Sequence, residues 1–237
     1  MTEGNTAPPE RIRDMFDRIA AVYDGMNALI SALQEPRWRR RAIRVAALEP
    51  GMRALDVACG TGKVAAGLHR AVSPGGAVVG VDVSTRMIEL ASARMARPGL
   101  TFVVGDALNL PVEDGTFDAA TIAFGMRNLA DYRRGFAEMM RAVRPGGRVV
   151  CLEIARPRSR VGRFIRSWFD HAVPFLGRIM GQGDAYAYLV RSVRAYPGPE
   201  RIAEIMTEAG LSQVRWFGLS FGMVTVHVGM HIDPTRS

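Results

Sequence analysis

ALDVACGTGKVA, residues 54–65, is the stretch on which the fold turns. An apolar run ends in an acid, Asp56, and small residues follow at alternate positions: Ala58, Gly60 and Gly62. A helix-forming segment restarts at once from Lys63. Two readings compete. A tight turn needs glycine for left-handed dihedrals. A nucleotide-binding loop needs bare backbone so that a ligand can approach its amides. Gly-x-Gly alone favours the turn, so the surrounding chain has to decide.

Outward from this loop the hydrophobic rhythm alternates. RALDVA is a short apolar strand, followed by a helix from about residue 63 to 72. AVVGVDV is a second strand, and STRMIELASARMA reads as a helix with Ser84 as its N-cap. LTFVVGDA is a third strand and FDAATIAFG a fourth. The helix YRRGFAEMMRAV, an RPGG turn and the strand RVVCLEIA come next. Strands alternating with helices of this length predict a mostly parallel, doubly wound α/β sheet. Residues 11–48 read as N-terminal helices, with Pro36 near the start of the last. Residues 157–195 break the rhythm and read as a helical insert after the fifth strand. The helix GPERIAEIMTEAG restores it, and SQVRWFGLS and GMVTVHVGM are spaced as a closing antiparallel pair, for seven strands in all. Residues 1–10, MTEGNTAPPE, read as a loose polar tail ahead of a single domain over 11–237.

Composition narrows the class. The 237 residues are 48% hydrophobic, enough for one sizeable core. No run approaches ~18 uninterrupted apolar residues, and no signal-peptide pattern opens the chain, so the expected location is the cytoplasm. Cys59 and Cys151 lack metal-ligand spacing and read as reduced packing residues, and no metal is expected. The formal charge is +8, carried almost wholly by arginine. One cluster is PRWRRRAIR, Pro36 to Arg44, and another runs from Arg156 to Arg194. A solvated surface or an anionic membrane face explains both. No basic stretch interleaved with aromatics suggests nucleic-acid binding.

In a doubly wound sheet, ligands bind at the carboxyl ends of the strands, near the reversal of strand order. The first strand delivers Asp56, Ala58, Gly60, Thr61 and Gly62 to that place. The second ends at Asp82, followed by Val83, and the third ends near Asp106 and Ala107. An acid at the end of the second strand accepts hydrogen bonds from ribose hydroxyls. Three such strand ends make a nucleoside site. Spacing alone leaves NAD open, since Ala65 stands where a third glycine would be. Asp56 decides against it: a carboxylate there repels pyrophosphate and suits S-adenosylmethionine, with its sulfonium and α-ammonium.

The segments LDVACGTG, GVDVSTRMIELA, YDGMNALIS, FGMRNL, LEIARP and DAYAYLVRSVR together resemble the UbiE family of menaquinone and ubiquinone biosynthesis C-methyltransferases. The likeness spans about residues 15–230. It departs at Cys59, where the family commonly has glycine, and at AYPGPE, where Tyr196 replaces a histidine. The resemblance implies a Rossmann-like class I methyltransferase fold with a cap after the fifth strand. The donor is S-adenosylmethionine, leaving S-adenosylhomocysteine, and the acceptor a ring carbon of a prenylated hydroquinone. It maps Asp56, Thr61, Asp82, Asp106 and Ala107 onto cofactor positions, with Met87 as an adenine wall or a core residue. On the acceptor side it points to Arg127 for a phenolate oxygen, Asn128 for the ring, and Tyr23 and Asn27 for closure over the site. His171 is one candidate base, and a water polarised by Arg127 and a carboxylate is the other. Asp184, Tyr186 and Tyr188 would serve the cap. The insert VGRFIRSWFDHAVPFLGRIM mixes aromatics with arginines, as an amphipathic segment touching an anionic membrane reversibly would. A homodimer is compatible with the resemblance. The competing acceptor is a phenolic or polyketide specialised metabolite.

Overall fold

A computed structural model describes residues 3–31, 33–155, 157, 162 and 183–232. Seven strands form one sheet: β1 (Arg53–Val57), β2 (Ala77–Asp82), β3 (Leu100–Val104), β4 (Phe117–Ala123), β5 (Val143–Ile154), β6 (Ser212–Leu219) and β7 (Val224–Met230). Their order is β3-β2-β1-β4-β5-β7-β6. Strands β1 to β5 pair in parallel, and β7 runs antiparallel to both β5 and β6. This is the doubly wound, Rossmann-like arrangement that the alternation predicts, with the closing pair in place.

The central strands are apolar throughout because both their faces are covered. Leu55, Val57, Ile122 and Cys151 point to one side, where Phe136, Met139, Ile202 and Ile205 of α6 (Tyr132–Ala142) and α8 (Pro199–Glu208) pack on them. Ala54, Val150, Leu152 and Val226 point to the other, under α3 (Glu35–Ala46) and α4 (Lys63–Val72). The remaining described helices are α1 (Pro9–Ile19), α2 (Tyr23–Ile30), α5 (Thr85–Met95) and α7 (Gly183–Ala195). Helix starts follow from local chemistry. Ser84 caps α5 by accepting from the Met87 amide at 3.1 Å, and Asp131 caps α6 by accepting from Arg134 at 2.9 Å. Cys59 and Cys151 are free and buried.

Two expectations change. The RPGG turn is absorbed into β5, whose pairing with β4 jumps from Val143 to Arg148 around Gly146, at φ 87°. The opening segment is docked rather than loose over its described residues. The Asn5 amide donates to Leu129 O at 2.7 Å, and the Tyr132 amide donates to Glu3 O at 2.9 Å. The turn after β4 has backbone groups to satisfy, and this segment supplies partners for them. Gly4 lies so close that a Cβ would fall 1.9 Å from Ala130 O. Of the insert, α7 is described as a helix, whereas Phe164, Trp168, His171 and Phe175 lie outside the described residues.

Candidate active site

The carboxyl ends of β1, β2 and β4 meet where strand order reverses, and a cavity opens there. Gly60 and Gly62 both adopt left-handed dihedrals, φ 55° and 82°, so both readings of the loop begin from true turn geometry. Their surroundings separate them. A Cβ on Gly60 would meet nothing nearer than Tyr23 at 3.9 Å, so the loop presents an open face. A Cβ on Gly62 would sit 2.8 Å from Phe102 Cζ. Gly62 therefore lets α4 pack against β3, and it lines neither cavity at this end.

Asp82 accepts from the Gly60 amide at 2.8 Å and the Ser84 amide at 2.9 Å, locking the ends of β1 and β2 together. Burial raises its pKa despite these bonds. Asp106 accepts from the Leu108 amide at 2.9 Å. Asp82, Val83, Met87, Asp106 and Ala107 share the larger cavity with Ala58 and Gly60. Met87 is both wall and core, at 2% exposure. Thr61 is buried and donates to Asp24 Oδ1 of α2 at 2.9 Å. Asp24 also pairs with Lys63 at 2.9 Å, and Asp17 of α1 accepts from Ser84 Oγ. The N-terminal helices are thus pinned onto the loops after β1 and β2 by two acids that the sequence did not single out.

Asp56 is deeper than its place at the strand end suggests. It is 1% exposed and lines a smaller cavity with Tyr23, Arg39 and Thr61. Its Oδ1 accepts from Thr121 Oγ1 at 2.8 Å, while Oδ2 is buried without a hydrogen-bond partner. Burial pushes its pKa up to about 7. The expected full negative charge therefore needs a cationic partner to hold it.

Arg127 is neither a surface ion pair nor a free hand in the cavity. It sits in the 3-10 turn Met126–Asn128 and is buried. Its Nη1 donates to Glu153 Oε1 at 2.8 Å and to Phe124 O at 2.5 Å, and its amide donates to Glu153 Oε2 at 3.2 Å. Burial works against the guanidinium charge, but Glu153, Tyr23 and Tyr188 outweigh it and raise the pKa. Asn128 does line the larger cavity, and its Oδ1 accepts from Tyr188 OH at 3.0 Å. Asn5 Nδ2 donates to that same hydroxyl at 2.6 Å and to Arg127 O at 3.1 Å. Burial raises the pKa values of Tyr23 and Tyr188, so both stay phenols near neutral pH. Asp184 is exposed. His171 and the side chain of Tyr186 lie outside the described residues. Glu153, Asn5, Arg39, Asp17 and Asp24 are the participants that sequence reasoning missed. Only Glu153 carried a signal, a single acid inside the apolar run VVCLEIA.

No group of residues suited to a metal occurs among the described residues. No described helix is long and apolar enough to cross a membrane.

Comparison with known proteins agrees with this construction. Residues 5–231 match the ubiE/COQ5 methyltransferase family. The chain is similar to a demethylmenaquinone methyltransferase of Thermus thermophilus, 44% identical over 219 residues, covering 91% of this chain and 99% of that protein. It is also similar to a ubiquinone/menaquinone biosynthesis C-methyltransferase of Geobacter sulfurreducens, 40% identical, covering 94% and 90%. Among solved structures it shares its fold with the [4+2]-cyclase SpnF, at a TM-score of 0.70, 17% identity and coverage of 98% and 99%. A second is a possible histamine N-methyltransferase of Thermotoga maritima, at a TM-score of 0.67, 21% identity and coverage of 92% and 99%. The chain belongs to the ubiE/COQ5 methyltransferase family and is an S-adenosylmethionine-dependent methyltransferase.

Proposed function

We propose that this protein C-methylates the ring of a prenylated naphthohydroquinone or benzohydroquinone, a reading supported by relatives named as a demethylmenaquinone methyltransferase and a ubiquinone/menaquinone biosynthesis C-methyltransferase. The observation that carries the donor side is the buried, unpartnered Oδ2 of Asp56, a residue that shares a small cavity with Gly60. An orphaned buried carboxylate oxygen costs about 1–3 kcal/mol until a donor reaches it, and a cationic amino-acid group is such a donor. Bound S-adenosylmethionine supplies an electrophilic sulfonium methyl. In this reading Asp82 takes the ribose hydroxyls, and Val83, Met87, Asp106 and Ala107 flank the adenine. Ala58, Gly60 and Thr61 bring the backbone close.

The acceptor carbon becomes nucleophilic when its neighbouring hydroxyl loses a proton. Arg127, held by Glu153, places positive charge beside that oxygen, and Asn128 orients the ring. Tyr23 and Tyr188, as phenols, donate hydrogen bonds and do not act as bases. His171 remains the proposed base, with a water polarised by Arg127 and a carboxylate as its rival. The pH–rate profile of His171→Gln separates them. Relatives named for quinone biosynthesis favour this acceptor over a phenolic or polyketide metabolite.

Incubation with labelled S-adenosylmethionine and bacterial lipid extract tests the acceptor. Mass spectrometry should find the label on a prenylated quinol ring carbon; label on a water-soluble phenol instead refutes the reading. Arg127→Ala should lower turnover far more than S-adenosylhomocysteine affinity. Long-chain quinols reside in the bilayer, so we also place the protein in the cytoplasm, in reversible contact with the inner membrane face through the basic, aromatic 161–180 segment. Flotation with anionic liposomes that recovers no protein refutes that contact.

A further inference from the structure

Two adjoining turns hold large apolar side chains in water. Leu33, between α2 and α3, is 75% exposed, and Phe221, between β6 and β7, is 66% exposed. One exposed apolar residue needs no explanation. These two also have left-handed dihedrals, φ 62° and 60°, which bulky residues rarely adopt and asparagine tolerates. A polar residue would suit both places better, in backbone conformation and in solvation.

The turns are joined to each other and to the site. Strand β6 runs with the parallel strands, because it is antiparallel to β7 and β7 to β5, so its end at Leu219 lies on the carboxyl edge. Ser220 Oγ donates to Gln34 Oε1 at 2.7 Å and accepts from Trp38 Nε1 at 2.9 Å. The Trp38 ring lies 6.2 Å from that of Phe124, which lines the larger cavity. The Ala155 amide donates to Met223 O at 2.9 Å, so β5 also ends beside this turn.

Positive charge adjoins the two tips. Arg37, Arg40, Arg41 and Arg44 of α3 are exposed and stand at i, i+3, i+4 and i+7, so they form one stripe about 10 Å long. Arg41 lies 4.8 Å over the Phe217 ring, which brings the stripe against β6. Glu35 is the only acid of α3 and pairs with Arg39, off the stripe.

We propose that this corner docks on an anionic bilayer, with Leu33 and Phe221 entering the lipid and the α3 arginines meeting the headgroups. Apolar tips beside cations match the two layers of such a surface. A nucleic acid would use the arginines and leave the tips in water. Because the corner backs onto the cavity wall at Phe124, an acceptor dissolved in the bilayer meets the protein beside its site. The proposal rests on the bilayer-resident quinol reading and gives the membrane contact a surface separate from the 161–180 segment.

Co-sedimentation of the full chain with vesicles tests this, using phosphatidylcholine alone and phosphatidylcholine with an equal part of phosphatidylglycerol. Wild type should prefer the anionic vesicles by about tenfold or more, and added salt should shrink the preference. Leu33→Asn with Phe221→Asn should weaken binding to anionic vesicles by about tenfold or more, as the loss of two inserted apolar side chains implies. The melting temperature of that tip variant should not fall, because asparagine accepts the left-handed dihedrals. Arg37→Gln with Arg40→Gln should lose about tenfold on anionic vesicles and almost nothing on neutral ones. Turnover of a quinol carried in vesicles should fall in both variants, while turnover of a short-tailed, water-soluble quinol stays within twofold. A tip variant that binds vesicles like wild type overturns the proposal and leaves the contact to the 161–180 segment. Tighter binding of single-stranded RNA than of anionic vesicles overturns it too, as does a wild-type dimer that the tip variant dissolves. Tip-dependent vesicle binding by a protein that methylates neither quinol refutes the acceptor reading while supporting the docking surface.

Discussion

On the proposed reading, the donor-end acids Asp82 and Asp106 and the acceptor-end residues Arg127 and Asn128 are held by different kinds of bond. At the donor end, Asp82 and Asp106 are fixed by backbone amides of the loops around them, from Gly60, Ser84 and Leu108. Parallel register sets those loops: Asp56 faces Gly80, and Asp82 faces Val104. At the acceptor end, side chains hold side chains across long stretches of chain. Arg127 rests on Glu153, 26 residues on; Tyr188 reaches Asn128 across 60 residues, and Asn5 reaches Tyr188 across 183. A backbone cradle survives most side-chain changes around it. A side-chain network fails when one member is lost, because its partner is then buried unpaired.

The largest expected effect tests that fragility. Glu153→Gln should cut turnover by about 10²-fold or more, on the scale of losing one preorganised electrostatic contact. S-adenosylhomocysteine affinity should stay within threefold. Glu153→Ala should also lower folding stability by about 3–5 kcal/mol, the usual result of stranding one half of a buried pair. Parallel losses of turnover and cofactor affinity would show that the two ends are not separable.

Asp56→Asn comes next. S-adenosylhomocysteine affinity should fall about 10–100-fold, as loss of a hydrogen-bonded charge implies. The ligand-free protein should become more stable at pH 8. The sign follows from the raised pKa: between about pH 4 and 7 the unfolded acid is ionised while the folded one keeps its proton, so stability falls as pH rises through that window. Asparagine removes that loss, and melting curves at pH 5 and 8 measure it.

The same titration sharpens the donor end in the intact protein. A cation held by Asp56 favours its ionised form, so S-adenosylhomocysteine affinity should rise between pH 5.5 and 7. A flat profile would mean that Asp56 does not meet the ammonium. The smallest effect belongs to Tyr188→Phe, which removes the hydroxyl joining Asn5 to Asn128. The acceptor KM should rise about threefold to tenfold, on the scale of one neutral hydrogen bond, with turnover little changed. A fall in turnover as large as that of Glu153→Gln would move Tyr188 to the reacting atoms.

These differences in construction are also differences in legibility. Asp82, Asp106 and the open glycine could be placed before any coordinates, because a strand end followed by a turn fixes where its last residues go. Gly62 could not be told from Gly60, since both dihedrals are left-handed and only Phe102 distinguishes their tasks. Arg39 could not be told from its four exposed neighbours in α3. Asp17 and Asp24 sit on polar helical faces that look solvated until the loops they hold are in place.

By itself the sequence determined the order of elements and the doubly wound sheet, which follow from short-range periodicity and turn chemistry along the chain, and its motif segments carried the resemblance to the family. Only the tertiary structure decided that Arg127 is buried on Glu153, that the opening segment is docked, and that Arg39 and Asp56 share one cavity with an unpartnered atom each. Pairings of that kind join distant segments. Whether a charged side chain meets water or a buried partner depends on what packs over it, and no local pattern encodes that.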